Sequence, residues 1–112
     1  MSVSEPTTSD HTVLLAEDDI SHVELIRRAI AQSGVPCRLD VVRDGVEAIE
    51  YLFGTGVYAN NARREMPDLF LLDLKMPRMN GLQVLQVLRR ARGHEPQRFL
   101  PVVVLTGSAN DR

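Results

Sequence analysis

The sequence predicts an α/β fold in which a doubly wound parallel sheet carries helices on both faces. Two observations predict it. Short apolar segments alternate along the chain with longer segments of helical periodicity, and the apolar segments are nearly continuous, as in strands buried on both faces. The length of 112 residues, with 44% hydrophobic and 25% charged residues, is typical of one globular domain.

The first half of the chain predicts two strands and two helices. Thr12–Ala16 is short and apolar and leads directly into acidic residues, which is typical of a buried strand. Apolar residues at helical spacing predict a helix over residues 20–33, which a glycine ends. Residues 37–42 then predict a second strand and residues 46–53 a second helix, with a turn at residues 43–45 between them.

The second half predicts a loop, a third strand, a third helix and a fourth strand. Residues 54–66 are polar and lack sustained periodicity, which predicts the loop. Residues 68–72 predict a buried strand that ends at Asp73, and residues 101–105 predict another that ends at Thr106. Leucines on one stripe predict a helix between these two strands that starts at Gly81 and that Gly93 ends.

Polar residues follow three of the predicted strands: Glu17 and Asp18, Asp73, and Thr106. The carboxyl ends of parallel strands meet at one edge, where such sheets bind ligands. Converging carboxylates repel each other, and Mg²⁺, which prefers oxygen ligands, relieves that repulsion. The pattern therefore indicates a Mg²⁺-assisted phosphoryl-transfer site, with Asp73 as the nucleophile that forms an aspartyl phosphate and the Thr106 hydroxyl as a donor to a phosphoryl oxygen.

A structural interpretation of the same acids is open at this point. Acidic residues after strands often cap helices, and Asp19 is predicted to be the N-cap of the first helix. For Glu17, Asp18 and Asp73, spacing and chemistry alone support the structural and the functional interpretation equally.

Three strings, found in order along the chain, resemble the receiver domain of two-component response regulators: Leu14-Leu-Ala-Glu-Asp-Asp19, Asp68-Leu-Phe-Leu-Leu-Asp-Leu-Lys-Met-Pro-Arg-Met-Asn-Gly81 and Pro101-Val-Val-Val-Leu-Thr106. The resemblance covers residues 12–110 and implies the flavodoxin-like receiver fold. The Asp44-Gly45 turn and the loop around Tyr58 resemble, more narrowly, the single-domain receivers that partner phytochrome-type histidine kinases.

The resemblance implies a phosphoacceptor signalling domain, not an enzyme, although such domains assist their own phosphorylation and dephosphorylation. Asp73 would accept a phosphoryl group from a sensor histidine kinase and signal to a downstream protein by a conformational switch. Thr106 resembles the switch hydroxyl of the family. Lys75 and Ser108 resemble the pair that tunes the lifetime of the phosphoryl bond, and a homodimer is also compatible with the family.

The resemblance also implies a Mg²⁺ site built from four positions. Asp18 and Asp73 would bind the cation directly, Glu17 mainly through water, and the backbone carbonyl of Lys75 would supply a further ligand. Residues Pro77 and Gly81 would shape the loop that follows Asp73.

The chain departs from the family pattern at its carboxyl end. The family's fifth strand ends in a lysine that pairs with the phosphoryl group, whereas this sequence ends at Arg112 and Lys75 is its only lysine. We therefore expect a truncated receiver over residues 12–112, with the fifth strand and last helices absent or supplied by another chain. At the amino end, the polar sequence predicts a disordered tail over residues 1–11.

Composition argues against several other classes of function. A net charge of -2 does not favour a nucleic-acid binder, and no apolar stretch exceeds four residues, far below the length of a membrane span. The single cysteine, Cys37, favours a reducing cytoplasm. The scattered histidines His11, His22 and His94 are not predicted to bind metal.

Two rival functions remain open. A Mg²⁺-dependent aspartyl-phosphate phosphatase of the haloacid dehalogenase type also uses an aspartate after a strand, but it needs a second acid two residues later, where Lys75 stands. A pseudo-receiver would be an interaction module that is never phosphorylated. Mg²⁺ dependence separates a receiver from a pseudo-receiver.

Overall fold

The computed structural model describes residues 11–60, 66–91 and 99–105. In this part of the chain four parallel strands form one sheet in the order β2-β1-β3-β4. The elements, in chain order, are β1 His11–Ala16, α1 Ile20–Ser33, β2 Cys37–Val42, α2 Gly45–Phe53, a 3-10 turn Gly56–Tyr58, β3 Leu69–Asp73, α3 Gly81–Arg89 and β4 Val102–Leu105. The predicted parallel α/β sheet of the receiver fold is confirmed.

Helix boundaries follow from local capping. The side chain of Asp19 accepts a hydrogen bond from the Ser21 N–H, which confirms Asp19 as the N-cap of α1. Asp44 caps α2 in the same way, so α2 begins at Gly45, one residue before the predicted start. Asn80 and Gln83 form a capping box at the start of α3.

The apolar core lies between the sheet and helices α2 and α3. Side chains alternate between the faces of a strand, so every second residue of β1 and β3 points to the same side. The fully buried members of this core on the strands are Leu14, Ala16, Val42, Phe70 and Leu72. The helices contribute Ala48, Tyr51, Leu52, Val84 and Leu88.

Helix α1 covers the opposite face less completely. Val23 is its only buried residue, and Leu25 in the same helix is 62% exposed. Val103 of β4 is 48% exposed. The described part of the molecule is therefore packed tightly on the α2–α3 side and more loosely on the α1 side.

A tyrosine pair closes the carboxyl end of α2. The rings of Tyr51 and Tyr58 meet edge to face, with centroids 5.1 Å apart and an interplanar angle of 69°. The Tyr51 hydroxyl donates to Asp40 on β2 at 2.5 Å, and the Tyr58 hydroxyl donates to Glu47 on α2 at 2.9 Å. These contacts order the first part of the segment that the sequence predicts to be a loop.

Among the described helices, none combines the length and the apolar character that crossing a membrane requires.

Candidate functional site

The acidic residues lie at the carboxyl edge of the sheet, between β1 and β3. This is the topological switch point, because the chain moves from β1 outward to β2 and then returns to the other side of β1 as β3. Asp73 is the last residue of β3, and Glu17 directly follows β1, whose residue Ala16 pairs with Leu72. The Glu17 N–H donates to the Val42 carbonyl at 3.0 Å, which fixes Glu17 to the sheet.

Three carboxylates converge at this edge. One oxygen from each of Glu17, Asp18 and Asp73 lies within 4.8 Å of the others. Asp18 is exposed, whereas Glu17 is only 3% exposed and Asp73 only 9%. The structure thus brings together the three side chains that the sequence predicts as metal ligands.

The electrostatics of the cluster favour a cation. Burial raises the pKa of Glu17 above its ordinary value of 4.5, and the negative charge of Asp73 raises it further. Hydrogen bonding from the Asp19 N–H and the nearby His22 oppose this rise. The donor set is all oxygen and partly buried, which fits a hard divalent ion such as Mg²⁺ or Mn²⁺.

Three contacts orient the buried carboxylates. Glu17 Oε2 accepts the Asp19 N–H at 3.1 Å and lies 3.4 Å from Nδ1 of His22 in α1. Asp73 Oδ1 accepts the Lys75 N–H at 3.3 Å. His22 was not predicted to take part in the site. The only available sequence signal was its position in the first turn of the helix that follows Glu17 and Asp18.

The loop from Leu74 to Asn80 is held close to the end of β3. The Gly81 N–H donates to the Leu74 carbonyl at 3.0 Å, closing the loop. A Cβ on Gly81 would lie 2.7 Å from the Asp73 carbonyl oxygen, so only glycine fits there without displacement of the backbone. Lys75 is exposed, in the first part of this loop.

Not all predicted site residues can be placed. Strand β4 runs beside β3 to the register Asp73↔Leu105, and Thr106 and Ser108, the predicted switch hydroxyl and lifetime residue, lie outside the described residues. His94 and residues 1–10 of the predicted tail lie outside them as well, whereas His11, predicted to belong to that tail, is the first residue of β1.

The fold and this acidic edge define a response-regulator receiver. The model of the response regulator receiver domain family matches residues 13–112, and the chain belongs to that family. It is 38% identical over 99 residues to the probable methanogenesis regulatory protein FilR2 of Methanothrix harundinacea, covering 88% of this chain and 59% of that protein. The chain thus spans less than two thirds of this relative's length.

Two further relatives are also response regulators. The phosphorylated cyanobacterial phytochrome response regulator RcpA is 40% identical, with a TM-score of 0.76 over 90% of this chain and 68% of that one. Response regulator Rcp1 of Synechocystis is 32% identical over 97% of this chain and 70% of its own length. The Mn²⁺-bound structure of Rcp1 superposes with a TM-score of 0.77, covering 90% of this chain and 68% of that one.

Proposed function

We propose that this chain is a phosphoacceptor receiver module in which Asp73 takes a phosphoryl group from a histidine of a sensor kinase. The observation that carries the proposal is the convergence of Glu17, Asp18 and Asp73 within 4.8 Å at the switch point. A carboxylate oxygen of Asp73 forms the bond to phosphorus while the phosphorus–nitrogen bond to the donor histidine breaks. The electron pair of the broken bond passes to the imidazole nitrogen, which then takes a proton.

The neighbouring residues divide the remaining work. A divalent cation, when bound, would neutralise the charge that develops on the phosphoryl oxygens. Asp18 and Asp73 would hold it directly, the Lys75 carbonyl would supply another ligand, and Glu17 would act mainly through water. Hydrolysis reverses the modification, because attack of water on phosphorus breaks the bond to Asp73 and releases inorganic phosphate. Thr106 would read out the phosphoryl group as the switch hydroxyl.

The proposed partner is a sensor histidine kinase of the phytochrome type. Its support is the identity of 40% to the phytochrome response regulator RcpA, together with the Tyr58 loop. A downstream protein would receive the signal through a conformational switch, and a homodimer is compatible with this role. The proposed location is the cytoplasm, consistent with a free thiol at Cys37.

The rival functions predict different chemistry at the same edge. A phosphatase of the haloacid dehalogenase type needs an acid where this chain has Lys75. A pseudo-receiver would take no phosphoryl group, and it has no need of three carboxylates packed together. The receiver is therefore the function that the site supports best.

Intact-mass spectrometry of the natural full-length protein tests the proposal. The protein is incubated with acetyl phosphate in the presence of Mg²⁺ and, separately, of excess chelator. We expect one phosphoryl adduct that requires the cation, because the cation offsets repulsion between the acidic cluster and the phosphoryl donor.

Two variants control the experiment. Asp73→Asn removes the nucleophile and should abolish the adduct. Asp68→Asn removes an acid five positions earlier, at the opposite end of β3, and should leave the adduct unchanged. An adduct that persists in Asp73→Asn would contradict the assignment of the phosphoacceptor, and no adduct on the wild-type protein would favour the pseudo-receiver.

A further inference from the structure

Arg78, in the loop after Asp73, has an unusual backbone conformation. Its φ angle is +68°, and among the described residues it is the only one other than glycine with a positive φ. The left-handed region is unfavourable for a side chain of this size, so the surrounding structure must hold Arg78 there. Such conformations cluster at functional sites, so the contacts that hold this loop bear on the function of the acidic edge.

A bidentate ion pair connects Arg78 to Asp44, in the turn between β2 and α2. Arg78 Nε donates to Asp44 Oδ2 at 2.8 Å, and its NH2 group donates to Asp44 Oδ1 at 3.1 Å. This bidentate geometry restrains the orientation of the guanidinium relative to the carboxylate as well as the distance between them. The hydrogen bonds from Arg78 lower the pKa of Asp44, in keeping with a formed pair.

Asp44 is itself held in place by its contacts at the start of α2. Its side chain accepts the Glu47 N–H at 2.8 Å as the N-cap of α2. Its neighbour Gly45 lies directly against the same loop, since a Cβ on Gly45 would come within 2.0 Å of the Met79 carbonyl oxygen. The turn between β2 and α2 and the loop after Asp73 therefore meet at two adjacent points.

We propose that the Arg78–Asp44 pair is a positioning device that holds the loop carrying Lys75 in register over the acidic edge. This inference rests on the proposed function, in which the Lys75 carbonyl is a cation ligand. The loop follows Asp73 directly, and the Gly81 N–H donates to the Leu74 carbonyl at 3.0 Å where the loop ends. Arg78 lies between those two points and ties the middle of the loop to α2.

Charge alone predicts a different outcome from positioning. Removing the positive charge of Arg78 would make the acidic edge more attractive to a cation, whereas removing the negative charge of Asp44 would make it less so. Positioning predicts that both changes weaken cation binding, because either one releases the loop. The sign of the two effects therefore discriminates between the mechanisms.

Two variants break the pair with little other change. Arg78→Gly removes the guanidinium and leaves a residue that adopts positive φ freely. Asp44→Asn removes the charge but keeps a side-chain oxygen that can cap α2. Arg27→Gln on α1 and Asp68→Asn are charge-matched controls away from the loop. Arg78→Lys keeps the positive charge without the bidentate guanidinium, so its Kd for Mn²⁺ should lie between those of the wild-type protein and Arg78→Gly.

Calorimetric titration of the natural full-length protein with Mn²⁺ gives the first readout. We expect Arg78→Gly and Asp44→Asn each to raise the Kd roughly tenfold, as is common when a group that orients a metal ligand is lost. The double variant should be no weaker than either single variant, since both remove one interaction. Melting temperatures measured without metal show whether folding is unchanged.

Amide hydrogen exchange at Gly81 gives a second readout that needs no metal. Faster exchange in both variants, with the controls unchanged, supports the device. Opposite signs of the two Kd changes, an unchanged Kd in both variants, or unchanged exchange at Gly81 would overturn it. Failure of the wild-type protein to bind Mn²⁺ would overturn the proposed function and this inference together, whereas binding that the variants leave intact would overturn the inference alone.

Discussion

The apolar core and the acidic edge touch each other, yet their energetics are opposite. In β3 the fully buried Leu72 is followed by Asp73, and at the end of β1 the fully buried Ala16 is followed by Glu17. Burial of the apolar members stabilises the fold, whereas burial of neighbouring carboxylates costs free energy. One step along each strand thus separates the residues that stabilise the sheet from those that make it reactive.

The core side of this comparison predicts the largest effect. Leu72→Ala removes a fully buried side chain packed against α2 and α3 and leaves a cavity. We expect the free energy of unfolding to fall by roughly 3–5 kcal/mol. Urea denaturation followed by circular dichroism measures it, and a loss below about 1 kcal/mol would show that the core lies elsewhere.

The edge side predicts stabilisation by a ligand. A cation that binds the folded protein and relieves repulsion among the three carboxylates should raise the free energy of unfolding by about 2.7 kcal/mol at a concentration 100-fold above its Kd. Thermal denaturation with and without Mg²⁺ or Mn²⁺ measures the gain. Equal melting temperatures with and without saturating cation would show that no such site is formed.

A smaller effect of unusual sign is expected at Glu17. In the absence of cation, Glu17→Gln removes a buried charge but keeps an oxygen that can accept the Asp19 N–H. We expect it to stabilise the fold by about 1 kcal/mol at neutral pH, as substitutions at functional sites often do. Urea denaturation in chelator is the measurement, and destabilisation of the same size would contradict the account of the edge.

The pH dependence of this gain follows from the raised pKa of Glu17. The folded state holds the Glu17 proton more tightly than the unfolded state, so stability falls as pH rises from about 4.5 through the raised pKa of the folded state. The advantage of Glu17→Gln over the wild-type protein should therefore shrink as pH falls through the raised pKa of Glu17 towards 4.5. An advantage that grows on acidification would contradict the direction of the shift.

The smallest effect is expected on the α1 side of the sheet. Leu25→Ala makes the same chemical change as Leu72→Ala, but Leu25 is largely exposed. We expect a change of no more than about 0.5 kcal/mol in the free energy of unfolding. If the loss instead approached that of Leu72→Ala, Leu25 would have to be buried in the protein in solution.

Local patterns explain why much of the fold was predictable. Helical spacing and buried apolar runs are properties of short segments, so α1 was predicted over residues 20–33 and β2 over residues 37–42, as found. The convergence of Glu17, Asp18 and Asp73 was predictable because the carboxyl ends of neighbouring parallel strands all lie at the same edge of the sheet. The third helix was predicted to continue further than its observed end at Arg89.

Contacts between distant segments could not be predicted in the same way. Arg78 and Asp44 lie 34 positions apart, and no periodicity or capping rule joins two such charges across separate loops. The 3.4 Å approach of His22 to Glu17 depends on where α1 starts relative to the sheet. Thr106 was predicted from its position after a strand and from the resemblance, and its place in the site stays a prediction.

The tyrosine pair at the end of α2 determines the near-ultraviolet spectroscopic signals of this protein. The chain has two tyrosines and no tryptophan, so its near-ultraviolet absorption and emission arise chiefly from Tyr51 and Tyr58. Burial, and then the hydrogen bond to Asp40, raises the pKa of Tyr51 to about 12, and the pKa of Tyr58 is also raised. The chromophores therefore stay un-ionised well into alkaline solution, and near-ultraviolet dichroism follows the packing of α2 against β2.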